Sequence, residues 1–191
     1  MEKSSFLQSK EAVLSRLDQS SIGEWDKKII PLCNKINSME NYYTSSSCSG
    51  RIILMVDQEK KGEGLFLFTT HDLVKFEKIK EELNKILESK TKKDIKFKTE
   101  APIVHIVCFS LQEARKLYDL AKLAGFKKSG IISFGRKIVL EINSGEKIEF
   151  PIIKKGKLLV DENFLKEIVL DSNKKMKKSW EKIAKLEKSL T

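Results

Sequence analysis

Apolar residues recur along this chain with two alternating periods. Residues Ser5 to Leu17 and Glu24 to Ser38 carry them at helical spacing, with Ile29, Ile30, Leu32, Cys33 and Ile36 forming the stripe of the second segment and Gly23 separating the two. Ile52 to Val56 and Leu65 to Thr70 read as strands joined by the turn Gln58 to Gly64, which predicts a hairpin. Asp72 is placed to cap a helix reaching Ser89, striped by Phe76, Ile79, Leu83, Ile86 and Leu87. Strands are expected at Ile95 to Glu100 and Pro102 to Phe109. Ser110 and Glu113 then form an S-x-x-E capping box for a helix that Gly125 stops. Ile131 to Phe134, Lys137 to Ile142 and Lys147 to Ile153 read as strands, with Asn143-Ser144-Gly145-Glu146 as a hairpin turn between the last two. A basic helix is expected from Asp161 to the end of the sequence.

The segment Tyr42 to Arg51, YYTSSSCSGR, fits neither period. Its run of hydroxyl and thiol residues before Gly50 and Arg51 reads as a loop entering the strand at Ile52, rich in small polar donors and closed by a guanidinium fork suited to carboxylate or phosphate. Helices and strands are intermixed without regular βαβ alternation. The expected fold is α+β, a single domain over 1–191 with a mixed, largely antiparallel sheet, the helices of 1–38, and the long helix of 161–191. It is not Rossmann-type: no GxGxxG and no GxxxxGK[ST] stands between a strand and a helix, and Gly50-Arg51 opens a strand instead.

Charge adds a partner class. The 191 residues carry a net charge of +10, which fits a polyanion such as nucleic acid, although lysine enrichment also marks hot-adapted surfaces. Nearly all of that charge is lysine, with arginine only at positions 16, 51, 115 and 136. Placing one of four guanidiniums in the hydroxyl-rich segment points to a bidentate contact at Arg51. The tail KKMKKSWEK reads either as an RNA-binding arm or as a solvated helix face. Cys33, Cys48 and Cys108 are odd in number and irregularly spaced, so a disulfide framework is not expected. Apolar runs fall far short of the roughly 20 residues of a membrane span, and MEKSSFLQSKEAVL lacks the apolar stretch of a secretory signal. The expected location is cytoplasmic.

For chemistry, His71 stands at a strand-to-helix junction and His105 is the titratable group of the apolar strand PIVHIVCF. His105 and Cys108 would point to opposite faces of a strand, so no metal is expected there. Cys48 as the nucleophile of a thiol hydrolase is the weakest of the candidate chemistries.

Taken together, YYTSSSCSGRI, the TTHD strand end, PIVHIVC, the capped helix, GFKKSGI and KGKLLV resemble, in order, the tRNA wybutosine-synthesising protein 3 family, over about Ile36 to Met176. The resemblance implies a methyltransferase dependent on S-adenosyl-L-methionine that acts on tRNA(Phe). Its target would be nitrogen-4 of 7-aminocarboxypropyl-demethylwyosine, the tricyclic base at position 37 beside the anticodon. It also implies roles for Ser46, Ser47, Cys48, Gly50 and Arg51 in binding donor or base, and for His71 and His105 as catalytic candidates. The base would unstack from the anticodon loop against Tyr42, Tyr43 or Phe66. Relatives often have tryptophan shortly before the first histidine, where this chain has Phe66 and Phe68. The alternative is a non-catalytic tRNA-binding module that presents substrate to a partner enzyme.

Overall fold

The computed structural model describes residues 2–15, 26–58, 62 and 64–190. The expected break at Gly23, both helix ends facing it and most of the turn before Gly64 lie outside the described residues. In chain order the elements begin with α1 (Lys3–Leu14), α2 (Ile30–Ser38), β1 (Tyr42–Cys48), β2 (Arg51–Val56), β3 (Phe66–Thr70), α3 (Phe76–Glu88) and β4 (Ile95–Glu100). They continue with β5 (Ile103–Cys108), α4 (Leu111–Ala124), β6 (Gly130–Phe134), β7 (Ile138–Asn143), β8 (Ile148–Lys154), β9 (Lys157–Leu158) and α5 (Glu162–Ser189).

These elements form two compact units. One comprises Met1–Ser49, Pro102–Gly145 and Ser179–Thr191, the other Gly50–Ala101 and Glu146–Lys178. The first holds a sheet of order β1-β5-β7-β6 and the second a sheet of order β3-β2-β4-β8-β9. Every strand pair among the described residues is antiparallel, whereas a doubly wound fold is built on parallel strands. The fold is therefore α+β, with two antiparallel sheets where the sequence predicts one mixed sheet.

The reason lies at Asn143 to Glu146. Read as a hairpin turn, this segment would pair β7 with β8. Instead β7 pairs with β5 and β6 while β8 pairs with β4 and β9, so the segment carries the chain from one unit to the other. Ser144 is fully buried, unlike the tip of a hairpin. The polar residues that mark a tight turn also suit a crossing, and strand alternation on either side is the same in both cases.

In the first unit, one sheet face buries Val104, Ile106, Leu140 and Ile142 against α2, α4 and the end of α5. Each fully buried Leu or Ile contributes about 1.5–3 kcal/mol relative to exposure. Ser110 caps α4 as expected, accepting from the Glu113 N–H at 3.2 Å. Gly125 ends the helix at φ +103, and a Cβ there would come within 3.2 Å of the Lys182 side chain. On the opposite sheet face α1 seats Phe6 against Tyr43 and Val107, with the Phe6 and Tyr43 rings 5.3 Å apart.

In the second unit, α5 is fastened to the sheet and to the segment before α3. Buried Thr99 donates to Ser172 at 2.8 Å, and Phe164 packs edge-on against Phe150, which stacks on Phe97. The Asn173 amide bonds both the N–H and the carbonyl of Val74, at 3.0 and 2.8 Å. That clamp holds 72–75 out of helical conformation, so α3 begins at Phe76 and not at Asp72. In α5 the lysine-rich stretch is amphipathic. Met176 and Ser179 are buried and Lys174, Lys177 and Lys178 exposed, while Ile183, Leu186 and Leu190 enter the core of the first unit.

Candidate functional site

The hydroxyl-rich segment is a strand, not the loop its composition predicts. Ser and Thr offer little apolar surface, but an antiparallel neighbour satisfies their backbone, and β1 runs along β5 from Tyr42 opposite Cys108 to Cys48 opposite Ile103. Alternation sends Tyr42, Thr44 and Ser47 to the helix-covered face and Tyr43, Ser46 and Cys48 to the other. The register slips between Thr44 and Ser46, which makes Ser45 an extra, bulged residue. A bulge re-aims the side chains that follow it. Without it Ser45 would face His105 and Ser46 would turn inward beside Val104. Asn37 of α2 holds the bulge from one side, accepting from the Thr44 N–H at 2.8 Å and donating to its hydroxyl at 3.0 Å.

This re-aiming builds a row across three strands. Ser46 is opposite His105, and His105 is opposite Glu141 on β7. Ser46 Oγ lies 2.7 Å from His105 Nδ1, and His105 Nε2 lies 3.0 Å from Glu141 Oε2. The other carboxylate oxygen accepts from the Asn143 amide at 3.0 Å. Ser46 is exposed, while the His105 and Glu141 side chains keep 28% and 23% of their accessibility.

The rest of the motif divides between structure and surface. Ser47 bonds the buried Cys33 thiol, whose pKa burial pushes up to about 11. Cys48 lies within 4.8 Å of the Asp26 carboxylate, and the same carboxylate accepts the Ser49 N–H at 2.8 Å. The Ser49 hydroxyl is buried with no protein partner among the described residues.

The second unit begins at Gly50, whose φ of +100 suits glycine and few other residues. Its carbonyl accepts from His71 Nδ1 at 3.0 Å, which leaves the lone pair of a neutral His71 ring on Nε2. Arg51 Nε donates to Glu100 Oε2 at 2.7 Å, directly across the β2–β4 pair, and its guanidinium lies 5.0 Å from the Phe66 ring centroid. That carboxylate anchors the fork through its Nε–H beside an aromatic ring.

Tyr43 and Tyr42 do not present ring faces to a ligand. Tyr43 is fully buried beneath Phe6, and Tyr42 is buried with its hydroxyl donating to Glu113 at 2.7 Å. Of the three aromatic candidates Phe66 is the exposed one, at 44%. His105 and Cys108 do lie on opposite faces of β5. Three partners escaped the sequence reading: Glu141, Glu100 and Asp26. An outward-facing carboxylate on a strand is ordinary, and only register shows what it faces. A groove of about 480 Å³ in the second unit, lined by Phe68, Thr69, Thr70, Leu73 and Val74 among others, takes in neither histidine and no residue of Tyr42 to Arg51.

Comparison with known proteins identifies the family. A Thermococcus sibiricus protein is 39% identical over 189 residues, covering 97% of this chain and 94% of its own. A Methanocaldococcus jannaschii protein is 35% identical over 181 residues, covering 92% of each. Both carry the name tRNA(Phe) 7-((3-amino-3-carboxypropyl)-4-demethylwyosine(37)-N(4))-methyltransferase. The solved structure of the PH1069 protein from Pyrococcus horikoshii superposes with a TM-score of 0.87 at 34% identity, covering 98% of this chain and 94% of that one. An Aeropyrum pernix structure at 23% identity and TM-score 0.73 shares the fold. The sequence profile described as Methyltransferase TYW3 matches residues 8–191, so the hydroxyl-rich strand, both histidines and Arg51 all fall inside it, and this chain belongs to that family.

Proposed function

We propose that this chain is a tRNA(Phe) methyltransferase that transfers a methyl group from S-adenosyl-L-methionine to nitrogen-4 of 7-(3-amino-3-carboxypropyl)-4-demethylwyosine at position 37, in the anticodon loop. The observation that carries the reading is the family match over residues 8–191, joined to relatives of that named activity which the chain covers almost end to end. The match runs through both units, which supports one methyltransferase domain. Among the described residues no helix is long and apolar enough to cross a membrane, in keeping with cytoplasmic work on tRNA.

The residues present fit the donor in kind. A carboxylate suits the Arg51 guanidinium, and the buried Ser49 hydroxyl is a hydrogen-bonding group with no protein partner among the described residues. When bound, S-adenosyl-L-methionine supplies an electrophilic methyl group on a sulfonium. The protein then has to hold the acceptor in line and take up one proton. Arg51 is the anion handle, for the donor carboxylate or a tRNA phosphate. Ser46, Ser47, Cys48 and Gly50 line or support the holding segment, with Ser47 acting from the inner face. Phe66 offers a stacking face for the unstacked base. His71 and His105 are the candidate proton acceptors, each with Nδ1 hydrogen-bonded.

The test is transfer of labelled methyl from S-adenosyl-L-methionine to tRNA(Phe) from cells lacking this step, with the product nucleoside read by mass spectrometry. Label appearing on the demethylated base is expected. Tight tRNA binding with neither transfer nor donor binding would favour the presenting module instead.

A further inference from the structure

We propose that Ser46, His105 and Glu141 form a proton relay, with Glu141 as the positioning residue that fixes which nitrogen of His105 is basic. The relay's chemical use rests on the methyl-transfer reading, whereas its geometry stands apart from it. A carboxylate can only accept hydrogen bonds, so the His105 nitrogen 3.0 Å from Glu141, Nε2, carries the hydrogen. In the neutral ring Nδ1 then holds the lone pair and accepts from the Ser46 hydroxyl at 2.7 Å.

Each member is held from behind. The second oxygen of Glu141 is held by Asn143, whose own backbone N–H donates to Ser129 at 3.2 Å. His105 sits on the central pairings of the sheet, and Ser46 is aimed by a bulge that Asn37 braces through Thr44. An ordinary partly exposed ion pair contributes little and requires no such aiming. Here both ring nitrogens are engaged, by a hydroxyl on one side and a carboxylate on the other, and the hydroxyl end is the exposed one. The order resembles a nucleophile, base and orienting carboxylate, but the task inferred is proton removal.

As nitrogen-4 bonds to the methyl carbon, the carbon–sulfur electron pair stays with the sulfur of the sulfonium donor. The nitrogen-4 proton passes to Ser46 Oγ while the Ser46 proton passes to Nδ1. The imidazolium so formed is stabilised by Glu141. Charge balances: a cationic sulfonium becomes a neutral thioether, and the neutral histidine becomes a cation.

Two measurements test this. Long-range nitrogen–proton NMR of the labelled protein in mildly alkaline buffer should show His105 with its hydrogen on Nε2, and Glu141→Ala should turn this into a mixture of both tautomers. In steady-state methyl transfer Glu141→Ala should lower kcat about 10- to 100-fold, with the tRNA KM changed less than about threefold. The same substitution in a His105→Ala background should cost nothing further, because residues acting as a unit are not additive. A wild-type ring protonated on Nδ1, or an undiminished Glu141→Ala loss in that background, overturns the relay. Should the wild type transfer no methyl at all, the functional reading fails and the tautomer alone decides the relay.

Discussion

Ser46 stands directly across the β1–β5 pair from His105, its hydroxyl 2.7 Å from Nδ1, because Ser45 occupies a bulge. Asn37→Ala removes the amide that bonds both the N–H and the hydroxyl of Thr44 beside that bulge. It should lower stability by about 1–2 kcal/mol, as expected for a part-buried backbone donor left without its partner. Urea unfolding measures this, and an unchanged midpoint would mean that the bulge holds without the brace.

Arg51→Lys keeps the charge and loses the fork. With Glu100 and Phe66 arranged for a planar guanidinium, kcat/KM for methyl transfer should fall about 10-fold or more. Arg51→Ala should fall further. Equal activity in the lysine variant would reduce Arg51 to a point charge.

Phe66→Ala should weaken tRNA binding by about 1–3 kcal/mol, the usual worth of one stacked base. Comparing tRNA that carries the demethylated base with tRNA carrying unmodified guanosine at position 37 separates stacking on the target from general contact. An equal loss for both would move Phe66 away from the base.

Burial pushes the Cys33 and Cys108 thiols up to about 11 and about 12 and closes them to solvent. Brief iodoacetamide treatment of the native protein should therefore modify Cys48 alone among the three, as read by peptide mass spectrometry. Cys48→Ser should keep methyl transfer, and abolished transfer would return the thiol to the chemistry.

Lys116 foremost, then the Tyr42 hydroxyl, hold the Glu113 carboxyl below its ordinary value of 4.5. A carboxylate with a depressed folded pKa contributes stability above its unfolded value, and that contribution is lost as pH falls through the folded one. Tyr42→Phe should thus cost about 1–2 kcal/mol near neutrality. The gap from wild type should narrow below pH ~4.5 as Glu113 protonates. Thermal melts across that range provide the check.

Periodicity and capping chemistry made α4, β4 and the striped helices legible before any coordinates. Ser110, Glu113 and Gly125 mark the ends of α4 by local hydrogen bonding and backbone conformation, which a sequence states directly. β1 was hidden because beyond Tyr42 and Tyr43 both of its faces carry small polar or thiol residues, and a bulge breaks what alternation there is. His105 and Ser46 could be named as candidates, yet their meeting with Glu141 depends on the register of three strands, with the paired residues 59 and 36 positions apart along the chain. The start of α3 was misplaced because Asn173, 99 residues away, bonds the Val74 backbone.

The first unit is assembled from three separate stretches of chain, and this has a consequence for its synthesis. β1 leaves the ribosome well before β5, its hydrogen-bonding neighbour, and the core it helps close still lacks Ile183, Leu186 and Leu190. Such non-local pairing folds slowly. During that interval the serine-rich strand is an unpaired edge, and hydroxyl side chains in place of the usual valines and isoleucines make it a poor template for aggregation. The small polar composition that distinguishes β1 thus shelters the growing chain.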